Sequence, residues 1–220
     1  MTIVSIDFSI LFPGICIARD LKEFSWFAVV NTQITKKAKD DLDALCIKYP
    51  NLKILKTETK RKTQAEYHLT ERNKLVNYSE LIQIIIQELE EQLDPKEEVI
   101  ICLEGISFGS KGNSLVDIAQ STGMLKQQLI EKILKGNYDR FFIFTPGELK
   151  NAIGCKGNAG KLDVFNKFKE DPILEAVKKS DLFKAVNTEK WIVTGDKVAS
   201  PVIDMVDSFL GIAKIYQLAK

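Results

Sequence analysis

Three short apolar runs crowd into the first thirty residues, and no other feature restricts the fold of this chain so tightly. Ile3 to Phe8 (IVSIDF), Ile15 to Ala18 and Phe24 to Val30 are rich in β-branched and aromatic residues and too short for helices, so each reads as a strand. Pro13-Gly14 punctuates the first connection, and neither gap has room for a crossover helix. The three strands therefore form an antiparallel meander.

Beyond them the pattern alternates. Lys36 to Lys48 has helical spacing and stops before Pro50, and Lys53 to Thr57 has the composition of one more short strand. From Thr63 to Leu93, Leu75, Leu81, Ile82, Ile85, Ile86 and Leu89 recur at helical intervals until Asp94-Pro95 ends the run. Glu98 to Leu103 (EVIICL) reads as a buried strand. A polar loop, Ser107–Asn113, leads to a helix from about Ser114 to Leu134, and Arg140 to Phe144 (RFFIF) is the next strand. Thr145-Pro146 has the chemistry of an N-cap followed by proline at the first helical position. Gly154 to Gly160 (GCKGNAG) forms a loop, Pro172 to Val186 a further helix, and Ser200-Pro201 starts a terminal helix running to about Leu218. The order argues for one α/β domain across residues 1–220 with a mixed sheet.

A chain of 220 residues is long enough for one well-buried core. Its 31 basic and 30 acidic side chains leave a net charge of +1, so a polyanionic partner would need locally segregated charge. Two stretches offer it, Lys53 to Lys74 and Lys150 to Lys169, although charge runs are commonly no more than solvated surface. Cys16, Cys46, Cys102 and Cys155 are scattered, and His68 is the single histidine, which argues against zinc. The N-terminus lacks the cationic and apolar regions of a signal peptide, and no apolar run reaches membrane-spanning length, so a soluble intracellular protein with no membrane partner is expected, in cytoplasm, nucleoid or a viral host cell.

The placement of four acids carries the chemistry. Asp7 is embedded in the first apolar strand, Glu104 ends the strand EVIICL, and Asp204 and Asp207 stand three residues apart on one face of the terminal helix, among Val202, Ile203, Val206, Phe209 and Leu210. Ionised carboxylates in apolar surroundings are costly unless a positive charge compensates them. Each has an ordinary reading too, as a strand-edge acid, a loop cap or a dipole-favoured residue of a first helical turn. Taken as a set they suit a pair of Mg2+ ions, with Mn2+ able to substitute, because hard oxygen donors match these cations.

Five segments in matching order resemble the RuvC-type Holliday-junction resolvases of the ribonuclease-H-like superfamily. They are IVSIDFS, VIICLEGISF, SLVDIAQSTGMLKQQLIE, FTPGELKNAIGCKGNAGKLDV and SPVIDMVDSFLGIA. The resemblance implies a ribonuclease-H-like fold: a mixed five-stranded sheet, three antiparallel strands then two parallel, flanked by helices. It implies a metal-dependent endonuclease that resolves four-way junctions or other branched DNA as a homodimer. Asp7, Glu104, Asp204 and Asp207 would hold two metal ions, and Lys161 would offset charge on the scissile phosphate. Phe108, Ser110, Lys111, Lys150 and Lys156 would contact DNA, and the helix Ser114 to Leu134 would either supply the dimer interface or be buried within one protomer.

The chain also departs from the family. Phe8-Ser9 stands where a Pro-Gly usually follows the first aspartate, and Ser208-Phe209-Leu210 replaces an alanine-rich ending. Phe108 lies one residue further from the second acid than the family's loop aromatic, and about 25 residues between Phe168 and Val193 resemble a helical insertion. Three rivals remain open at the level of sequence. Another ribonuclease-H-like nuclease acting on RNA–DNA hybrids or flaps would use the same acids. A non-catalytic junction-binding scaffold would not need them, and a sugar-kinase-like or actin-like phosphotransferase wants a glycine-rich phosphate loop where this chain has LFPG.

Overall fold

The computed structural model describes residues 1–57, 66–106 and 112–220. β1 (Thr2–Asp7), β2 (Gly14–Arg19) and β3 (Glu23–Val30) form the expected antiparallel meander. After α1 (Lys36–Lys48), β4 (Leu52–Lys56) joins β3 in parallel. α2 (Tyr67–Gln92) then leads to β5 (Val99–Glu104), which pairs in parallel with β1. α3 (Asn113–Gln128) ends in a π-helical turn, Leu129–Ile133, and β6 (Phe141–Phe144) closes the far edge beside β5. The sheet order is β4-β3-β2-β1-β5-β6. It therefore has six strands, not five. Leu52–Lys56 has the backbone of β3 to pair with, and pairing satisfies donors and acceptors that a five-stranded sheet would leave bare.

Beyond β6 come α4 (Pro146–Ala152), α5 (Lys161–Glu170), α6 (Asp181–Thr188), a small hairpin of β7 (Val193–Thr194) and β8 (Lys197–Val198), and α7 (Val202–Leu218). The single helix expected over Pro172–Val186 is two pieces, a 3-10 turn at Glu175–Lys179 and then α6. Ser180 interrupts them, and its side chain caps α6 by accepting from the Phe183 N–H. The Thr145-Pro146 signal gives a full capping box, with the Glu148 side chain returning to the Thr145 N–H.

Because strand side chains alternate between faces, the sheet sorts its apolar residues into two cores. Val4, Ile6, Ile15, Ile17, Ile101 and Leu103 face α2 and α3. Ile3, Cys16, Ala18 and Cys102 face α7, with α4, α5 and α6 beyond it. α7 is apolar on nearly every side, the pattern of a helix buried all round. Phe209 on it meets Phe168 of α5 at a centroid distance of 5.4 Å and Phe24 of β3 at 6.2 Å. Two glycines allow α7 to lie this close to the sheet. A Cβ at Gly211 would stand 2.5 Å from Cys102 Sγ and also strike Ser5 Oγ, and one at Gly14 would stand 2.7 Å from Met205 N and strike the Asp204 carbonyl.

Candidate active site

The two-residue period of a strand decides where the strand acids point. Asp7 shares the face of Ile3 and Ser5, and Glu104 that of Cys102, so both carboxylates turn towards α7. β1 and β5 are in register through Ile6 and Leu103, and one step further Asp7 and Glu104 end their strands side by side. On the other side of the sheet's midline, Asp7 pairs with Gly14 of β2, the residue over which the first turn of α7 passes. That crossing carries Asp204 and Asp207 to Asp7.

Ligand oxygens of Asp7, Asp204 and Asp207 lie within 4.8 Å of one another. Glu104 lines the same cleft, a cavity of about 180 Å³ that also includes Ser9, Pro146, Lys150 and Lys161. Asp204 is 4% exposed, and its Oδ2 has no hydrogen-bond partner among the described residues. Burial, and then the charges of Asp207, Glu104 and Asp204, push the Asp7 carboxyl well above its ordinary range. Burial likewise raises Glu104 and lifts Asp207 to about 7. A set of acids that resists ionisation in this way is short of positive charge. An orphaned buried carboxylate oxygen facing two further carboxylates fits a hard divalent cation.

Lys161, the first residue of α5, supplies the nearest cation. Its Nζ donates to Asp204 Oδ1 at 2.9 Å and stands 3.5 Å from Asp207 Oδ2. Burial pulls the ammonium pKa down, but the charges of Asp204 and Asp207 outweigh that and leave it raised. Lys150 lines the same cleft, and its Nζ donates to the Ala159 carbonyl at 2.7 Å, tying α4 to the loop that carries Lys161. Lys156 is exposed on that loop. Phe108, Ser110 and Lys111 lie outside the described residues.

Among the described residues of the first basic stretch, three lysines have acidic partners. Lys53 meets Glu88 and Glu91, Lys56 meets Asp43, and Lys74 meets Glu71 and Asp117. Ser9 lies just past the end of β1, where strand alternation no longer applies, and it lines the cleft without any motif of its own. Gly14, which reads as turn punctuation, is the first residue of β2. A larger cavity, about 440 Å³ in the groove between α2 and α3, shares no residue with the acids.

No family model matches the sequence, and no curated protein does. Solved structures do match. Thermus thermophilus RuvC aligns over 100% of this chain and 97% of its own, with 12% identity and a TM-score of 0.51. The chain has a RuvC-like fold. T. thermophilus RuvC in complex with Holliday junction substrate aligns over 100% of this chain and 96% of its own, at 13% identity and a TM-score of 0.47. Among the described residues, no helix is long and apolar enough to cross a membrane.

Proposed function

We propose that this chain is a metal-dependent endonuclease that cuts branched DNA, with the four-way junction as its substrate. The carrying observation is the convergence of Asp7, Asp204 and Asp207 within 4.8 Å, with Glu104 in the same cleft and one Asp204 oxygen left without a partner. A scaffold that only bound DNA would have no use for buried acids that repel the phosphate backbone. The choice of branched DNA rests on the five ordered segments that resemble the RuvC-type resolvases, and the RuvC-like fold supports it.

Asp7, Glu104, Asp204 and Asp207 would hold two Mg2+ ions, with Mn2+ as a substitute. Such ions supply an activated water and stabilise the leaving 3′ oxygen of an in-line displacement. The acids orient the site, and burial by Val164 and Leu210 limits water beside it. Lys161 reaches the phosphate to offset charge in the transition state. Lys150 has one of its three donors on Ala159 and offers the others to the DNA backbone, while Lys156, Phe108, Ser110 and Lys111 contact the strand flanking the cut.

One such site cuts one strand, so symmetric resolution calls for a homodimer. Leu125 and Leu129 are buried within the protomer. The face left for a partner is around Leu75, Val76 and Val116, each about half exposed, where the Lys74–Asp117 pair joins α2 to α3. Residues 1–220 act as a single nuclease domain, with the stretch near 169–193 as an added helical segment.

The test is cleavage of labelled four-way junctions, splayed arms and RNA–DNA hybrid duplexes with and without Mg2+. Junctions should be nicked in pairs only with Mg2+, and Asp7→Asn, Glu104→Gln, Asp204→Asn and Asp207→Asn should bind junctions without cutting them. Normal cutting by these variants would refute the site, and cleavage of hybrids alone would refute the substrate.

A further inference from the structure

Lys161 does not wait beside the acids; it occupies them. Its ammonium shares Asp204 and Asp207, two of the three carboxylates whose oxygens are close enough to hold one ion. A divalent ion bound by those oxygens and an ammonium 2.9 Å from one of them compete for the same lone pairs. The lysine is also easy to move. Its side chain is 61% exposed, and it follows a loop with three glycines, of which Gly154 has φ +82°. The carboxylates of this pair are buried and would be costly to leave bare, but a divalent cation that takes them over compensates them, while the half-exposed ammonium it releases passes into water.

We propose that Lys161 is the resident cation of the metal-free site, holding Asp204 and Asp207 together until a divalent ion expels it. This rests on the proposed metal-dependent reading of the site and adds an order of events. Lys161 sets how much divalent ion is needed to load the site, and loading frees the ammonium for an incoming phosphate. The lysine that completes the site with DNA is thus withheld until metal has entered. Lys150 serves the same arrangement by bracing the loop at Ala159, so that Lys161 stays within reach of both positions.

The experiment titrates Mn2+ alone into metal-free, full-length protein, reading free Mn2+ by electron paramagnetic resonance. Lys161→Gln should bind Mn2+ several-fold more tightly than the parent, because no ammonium then competes for the Asp204 and Asp207 oxygens. Lys161→Arg, which keeps a cation there, should bind Mn2+ no more tightly than the parent. Lys167→Gln removes a charge from the same helix at a residue paired with Asp171 and should change nothing. In the parent itself, acetylation of Lys161 followed by mass spectrometry should speed up several-fold when Mn2+ is added.

Unchanged or weaker Mn2+ binding by Lys161→Gln overturns the proposal, as does equal tightening by Lys167→Gln, which would mark a long-range charge effect. Acetylation indifferent to Mn2+ overturns it as well. These results would leave the nuclease reading standing wherever the parent binds Mn2+. Absence of Mn2+ binding in parent and Lys161→Gln alike would defeat both.

Discussion

Replacing Gly14 by alanine should damage catalysis more than stability, and the structure gives the size of both effects. Gly14 pairs with Asp7 and with Ala28, so it sits in the middle of the sheet beneath the first turn of α7. The new Cβ would lie 2.7 Å from Met205 N, and nearer still to the carbonyl of Asp204, where ordinary contact begins at about 3.4 Å. The obstacle is backbone, which cannot rotate away as a side chain would. The start of α7 must therefore retreat by at least about 0.7 Å. Overpacking of this kind costs about 1–3 kcal/mol, or a fall in Tm of roughly 2–12 °C for a domain of this length. The same retreat carries Asp204 away from Asp7, and a displacement approaching 1 Å at a reacting centre costs about 100-fold in rate. Thermal unfolding and single-turnover cleavage of a labelled junction at saturating Mg2+ would measure the two. Gly123→Ala is the control, because a Cβ there meets nothing within 4 Å, and it should leave cleavage intact and stability equal or slightly higher. A Gly14→Ala protein with unchanged Tm and rate would refute the argument that this glycine sets the spacing of the acids.

Asp207→Asn should flatten the pH dependence of stability in the absence of metal. Burial raises Asp207 from its ordinary 3.8 to about 7, so between those values the folded protein holds a proton that the unfolded chain has released. Stability of the parent should then decline as pH rises from about 4 to about 7, by up to about 4 kcal/mol, and remain low above it; parallel denaturation curves for parent and variant would count against this. Divalent ions should reverse the loss: at about 100 times its dissociation constant, Mn2+ should add about 2.7 kcal/mol to the parent and little to Asp7→Asn, as read from melting with and without EDTA. Thr145→Ala removes both hydroxyl contacts of the α4 capping box and should cost about 1 kcal/mol in chemical denaturation while leaving Mn2+ affinity unaltered.

Much of the fold was open to reading because its signals are local. Strand period, proline and glycine punctuation and the Thr145 cap each act over a few residues, and β1, β2, β3, β5, α1, α4 and α7 lie where those signals put them. The strand at Leu52–Lys56 was visible but uncounted, since a five-residue run becomes a strand only with an edge to pair against. Lys53 and Lys74 looked like a basic patch. Their acidic partners Glu88 and Asp117 are 35 and 43 residues away in the chain, a separation that no run of charge reveals.

By itself the sequence determined which acids stand on apolar elements and which neighbours share a face with each, because alternation along a strand and the i, i+3 spacing of a helix are properties of the backbone alone. Whether Asp7 and Asp204 would meet was left to the tertiary structure, since that distance depends on α7 crossing β2 at Gly14 and packing on Ser5 and Cys102 at Gly211. The partners of Lys161 and Lys150 were decided there as well. A flexible cation goes where the nearest unsatisfied oxygen lies, and only the folded chain says where that is.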